Sequence, residues 1–109
     1  VSAFGPAIFV SRRDGADVHD EERQRIVDLV REATARLGLK DENGEPARPR
    51  LYGDSLGVLL YSGYVYGQMP EPIQRDQDGL WTAEGDRVTA ELEKAAPGIY
   101  TFEVYGVED

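Results

Sequence analysis

Side chains able to do acid–base or metal chemistry in this chain are almost all carboxylates. Twenty-one Asp and Glu stand against one histidine, His19, and no cysteine. A serine nucleophile needs a base held beside it. His19 has Asp17 and Asp20 for sequence neighbours, and no serine sits in a nucleophile-elbow context. It reads as a solvated residue just ahead of a helix. Multi-histidine metal sites are excluded by number, and thiolate sites and disulfides by the missing cysteine. There is no GxGxxG, GxxxxGK[ST] or HExxH. Gly53, Gly57, Gly63 and Gly67 are spaced like strand bends and turns rather than like a phosphate loop.

Two acidic stretches have the oxygens for a hard cation. The first, 14–22 (DGADVHDEE), serves equally well as the start of a helix. The second surrounds Gly79. Aligned with the glycine of an EF-hand loop, it puts Gln74, Asp76 and Asp78 at positions one, three and five, and Gly85 at position twelve. A bidentate Glu is required there, and Glu84 falls one residue early. Pro70 and Pro72 also argue against an entering helix. An Asx-type turn at Asp78-Gly79 explains the same residues without metal. No cofactor or metal is therefore expected, and Asp76, Asp78 and Glu84 are the candidates should a cation bind. Hydrolysis by paired carboxylates needs two of them facing across a cleft with one raised pKa. The sequence singles out no pair, so a non-enzymatic role is expected.

Charge and aromatic content point to surface recognition. Net charge is −9, carried unevenly: residues 1–50 hold nine basic and ten acidic side chains, residues 51–109 three and eleven. Such a surface repels nucleic-acid phosphates and anionic membranes and attracts basic proteins. Six tyrosines and Trp81 exceed what a small core needs, and Tyr and Trp are the types that anchor interfaces.

These residues need a frame. Length indicates one domain over residues 1–109, and 40% hydrophobic with 30% charged residues is ordinary for a globular chain. The most apolar stretch, 56–67 (LGVLLYSGYVYG), is expected to be a central strand, bent at Gly63. Period two puts Val58, Leu60, Ser62, Tyr64 and Tyr66 on one face and Leu59, Tyr61, Gly63 and Val65 on the other. A turn at Ser62-Gly63 splitting it into two arms is the alternative. Residues 7–11 (AIFVS) read as a buried strand, and 50–53 as a short strand leading by a hairpin into the central one. Ile26, Leu29, Val30, Ala33 and Leu37 form the apolar stripe of a helix, with Asp20 as N-cap and Gly38 as the left-handed C′ residue. Residues 40–49 and 68–79 read as loops. A second helix starting at Thr82 or Asp86 carries Val88, Leu92 and Ala95, with Gly85 its weak point. Tyr100, Phe102 and Val104 alternate with Thr101 and Glu103 in a last strand covered on one face. The order β-α-β-β-α-β predicts an α+β fold: a four-stranded, mainly antiparallel sheet with two helices on one face, the ferredoxin-like split βαβ arrangement.

The functional expectation is a small acidic inhibitor that occludes a basic protein, in the manner of an immunity protein, an antitoxin or a nucleic-acid mimic. Glu71, Asp76, Asp78, Glu84, Glu103 and Glu108 would meet basic side chains, with Tyr64, Tyr66, Trp81 and Tyr105 as aromatic anchors. Direct nucleic-acid binding and membrane insertion are not expected. A self-associating module of a larger assembly is the alternative, and a metal-binding or small hydrolytic domain the third reading. Lack of cysteine, and of a basic leader ahead of the first apolar run, suggests a cytoplasmic protein.

Overall fold

The computed structural model describes residues 2–41, 43–54, 56–65 and 71–109, and the side chains of residues 4–41, 43–54, 56–62 and 81–109. The sheet is built on strand β1, Ser2–Arg12. Strand β5, Tyr100–Glu108, runs antiparallel along one side of it, from Arg12 opposite Tyr100 to Phe4 opposite Glu108. On the other side β1 meets two short segments, β3 (Gly57–Leu59) and β4 (Gly63–Val65). Strand β2, Arg50–Tyr52, forms a hairpin with β3 and closes that edge. Helix α1 is Asp20–Leu37 and helix α2 is Glu71–Ala95.

Segments β3 and β4 are two halves of one bulged strand. Ala7 pairs with Leu59, whereas Phe4 pairs with Gly63. Two residues of β1 thus oppose three on the partner, the signature of a β-bulge. The sheet is four strands wide, ordered β2, β3/β4, β1, β5, with every neighbour antiparallel. That is the split βαβ arrangement expected from the element order.

The sequence around the bulge suits it. A Cβ on Gly5 would lie 1.7 Å from the Tyr61 carbonyl oxygen, so only glycine fits opposite the extra residue. The Pro6 carbonyl accepts a hydrogen bond from the Leu60 amide at 2.9 Å. In an antiparallel pair a residue's N–H and C=O address the same neighbour. The donor that Pro6 lacks therefore faces the bulge, where the ladder is already interrupted. The bulge also corrects the strict alternation expected over 56–67. Leu60 and Tyr61 are adjacent, yet both are buried in the core. The expected bent central strand is present over the described residues as one bulged strand, and the alternative hairpin turn is not, since both arms continue along the same partner.

One layer of helices covers one face. Ile8, Val10 and Val58 from the strands meet Ile26, Val30 and Ala33 from α1 and Val88 and Leu92 from α2 in a single core. Helix α1 ends as its sequence indicates: Gly38 is left-handed (φ 64°), and the Gly38 and Leu39 amides reach the Ala35 and Thr34 carbonyls, with Leu39 buried beside them. Its N-cap is His19 rather than Asp20, which is the first helical residue.

Helix α2 differs most from expectation. It begins at Glu71, inside the stretch read as a loop. Pro72 stands in its first turn, where a missing N–H has no intrahelical partner to lose. The helix also runs through Gly85 without a break, and the reason is tertiary. A Cβ at Gly85 would sit 2.4 Å from Val104 Cγ1, so the glycine lets α2 approach β5. Because 71–95 is helical, the twelve-residue loop that the EF-hand alignment needs is replaced by helix there. No helix among the described residues is long and apolar enough to cross a membrane.

Candidate functional site

Directly paired residues in an antiparallel sheet share a face, so the register defines the face turned away from the helices, on which Ala7 and Leu59 are nonetheless fully buried while Glu103 and Tyr105 are exposed. One row across the sheet is Arg50, Leu59, Ala7 and Tyr105; the next is Tyr52, Gly57, Phe9 and Glu103; Ser11 and Thr101 follow. Phe9 lies at the centre. Its ring rests on Gly57, where a Cβ would come within 2.7 Å of the ring edge. Tyr52 and Tyr105 flank it edge-on, with ring centroids 6.3 Å and 5.6 Å away. These separations fall in the favourable range for T-shaped pairs. Tyr105 remains 52% exposed despite these contacts. Its hydroxyl donates to Glu103 Oε2 at 2.7 Å, and this bond raises the Tyr105 pKa by favouring the neutral phenol beside a carboxylate.

Polar pairs tie together the β2 side of the same face. The Tyr52 hydroxyl donates to the Glu108 carbonyl, tying β2 to the end of β5. Arg50 pairs with Asp109, whose other oxygen accepts from Ser62 Oγ at 2.9 Å. Both bonds favour the ionised acid, Arg50 most, and lower the Asp109 pKa. A hollow of about 150 Å³ lies there, lined by Asp41, Arg48, Arg50, Leu59, Tyr61 and Ser62. It is well below the ~300–1,000 Å³ typical of small-molecule sites.

Beneath the helices a second polar cluster ties three elements together. Glu22, buried in the first turn of α1, accepts from Arg12 Nη1 at 2.6 Å and from the Tyr100 hydroxyl at 2.7 Å, both on Oε1. Arg12 also holds Asp14, at 2.8 Å. The Tyr100 hydrogen bond, then the hydrogen bond from Arg12, lower the Glu22 pKa against the opposing effect of burial. Asp14 is drawn down to about 2, first by Arg12 and then by the Ala16 amide. Burial and the bond to Glu22 raise the Tyr100 pKa. Within the acidic stretch 14–22, Arg12 thus engages two carboxylates, buried Glu22 and exposed Asp14. Among the described residues no group of three or more His, Asp or Glu side chains is placed to hold a metal.

The residues expected from sequence to form one surface are divided between layers. Glu103 and Tyr105 come together on the open face. Trp81 is a core residue, 6% exposed, because the longer α2 turns it inward, so the expectation of a surface anchor is corrected. Glu84 is half-buried on α2 and accepts from the core residue Tyr61 at 2.5 Å, on the opposite side of the sheet from Glu103. Glu71, Asp76 and Asp78 lie on α2 and Tyr64 on β4, opposite Ala3. Their side chains, and the whole of Tyr66, are outside the described residues. Two aromatic members escaped the sequence reading. Phe9 lies in an apolar run whose composition gives no hint of an exposed side, although its phase with Ala7 and Ser11 sets it apart from Ile8 and Val10. Tyr52 lay in a strand too short to show alternation.

No protein-family model, curated protein or solved structure matches this chain.

Proposed function

We propose that the chain is a small acidic binding protein that occludes a basic protein partner through the open face of its sheet. The observation that carries this reading is the exposed Tyr105 with its Glu103 carboxylate, set beside Phe9 and Tyr52 on a face without helices. Aromatic residues with a polar rim are the usual make-up of an interface centre. The formal charge of −9 favours a basic partner and speeds its encounter. Inhibition would be steric, in the manner of an immunity protein or antitoxin, with no chemical step.

The test is capture from lysate at low salt with tagged wild-type protein and with a Glu103→Gln/Tyr105→Ala variant. A stoichiometric basic protein, eluted by salt and lost with the variant, supports the reading. Equal capture by both proteins contradicts it.

One observation favours a self-associating module instead. Strand β5 is nine residues long and, among the described residues, pairs only with β1, leaving an outer edge able to accept another strand. Sedimentation at micromolar concentration separates the two: a monomer fits the inhibitor, a concentration-dependent dimer the assembly module.

A further inference from the structure

Strand β5 presents a tyrosine bonded to a glutamate on each face, the glutamate coming from α1 on one face and from β5 itself on the other. On the covered face the Tyr100 hydroxyl donates to Glu22, and Arg12 completes the group by donating to the same carboxylate oxygen. On the open face the Tyr105 hydroxyl donates to Glu103 at the same 2.7 Å, again with a phenylalanine ring beside the tyrosine. Here no basic side chain among the described residues completes it. The only cation of the described strand rows on this face is Arg50, and it is paired with Asp109.

We infer that the Tyr105–Glu103 pair is the seat for an arginine side chain of the partner, and that Arg12 on Glu22 shows how a guanidinium shares a carboxylate with a tyrosine hydroxyl. This rests on the proposed binding of a basic protein and specifies what that protein must present. Glu103 has one oxygen engaged by Tyr105, and a carboxylate accepts about four hydrogen bonds in all, so donors from a guanidinium fit beside the phenol. The exposed ring of Tyr105 gives the planar cation a surface to stack on while it donates to the carboxylate. A lysine ammonium can make the ion pair but cannot stack as a plane. The seat therefore discriminates between the two cations, which the net charge alone does not.

The experiment is a titration of the isotope-labelled whole chain at low salt with two twelve-residue peptides, alternating Arg-Gly and alternating Lys-Gly, followed by NMR. The expected result is shifts centred on Phe9, Glu103 and Tyr105, with the Arg peptide binding about two- to fivefold more tightly than the Lys peptide. Tyr105→Leu should abolish that preference and Glu103→Gln weaken the Arg peptide. Tyr105→Phe, which keeps the ring, should retain the preference and guards against loss through misfolding. Equal binding of both peptides, or shifts centred on α2 and insensitive to these variants, would overturn the arginine seat while leaving a basic partner in place. Absence of binding by either peptide would overturn both.

Discussion

The two tyrosine–glutamate pairs formed by the tyrosines of β5, one with Glu22 of α1 and one with Glu103 of β5, have one hydrogen-bond length and opposite surroundings. Tyr100–Glu22 lies under α1 and is completed from within by Arg12; Tyr105–Glu103 faces outward without a cation from the described residues. Since the bond itself is the same, context decides its role. The inner pair joins β1, α1 and β5, and removing any member leaves polar groups short of partners in a confined place. The outer pair joins only residues two apart on one strand, so it adds little to the fold and is available for recognition.

Substitutions should reproduce this asymmetry. The largest effect belongs to the covered face. Leu60→Ala, at a fully buried position beside the bulge, should cost about 2–5 kcal/mol in denaturant unfolding, while Tyr105→Ala should cost no more than about 1.5 kcal/mol, the value of an edge-on ring pair. Similar losses from the two variants would show that the open face is part of the core. Gly85→Ala comes next. The ~1 kcal/mol gained in helix propensity should be outweighed by ~1–3 kcal/mol of overpacking against Val104. A stabilised variant would mean that α2 and β5 are not in such close approach.

Acid sharpens the comparison. Glu22 and Asp14 titrate below their unfolded values, so the stability they supply is complete above the ordinary carboxylate range. It should be lost as pH falls from about 4.5 through about 2. Glu22→Gln should flatten part of that acid limb in pH-dependent melting curves. An unchanged limb would place the acid sensitivity elsewhere. The smallest effect is on binding rate: raising salt from 0.05 to 0.5 M should slow association with a basic partner and leave dissociation nearly unaltered, as expected for charge steering. Stopped-flow mixing at the two salt concentrations measures it.

Sequence periodicity revealed the order of elements because each carries its own local signal, such as the stripe from Ile26 to Leu37 or the alternation from Tyr100 to Val104. It failed where a tertiary contact overrides local preference. Gly85 looked like a break because its reason, Val104 against the helix, is remote in sequence. Pro72 looked like loop chemistry, although a first helical turn tolerates it equally well. The bulge was invisible for a similar reason, since Gly5 and Pro6 have meaning only opposite residues 60–62. For the site, Glu103 and Tyr105 were legible from their phase within β5. Phe9 and Tyr52 were not, because the face a strand residue occupies depends on which strands flank it.

If Tyr105 and Glu103 act together in binding a basic ligand, a double-mutant cycle will show it. Affinity for the Arg-Gly peptide would be measured for wild type, Glu103→Gln, Tyr105→Leu and the double variant. Coupling is expected: the double variant should lose no more than about the larger single loss, because each residue works through the other. Losses that simply add, or no loss at all, would contradict it.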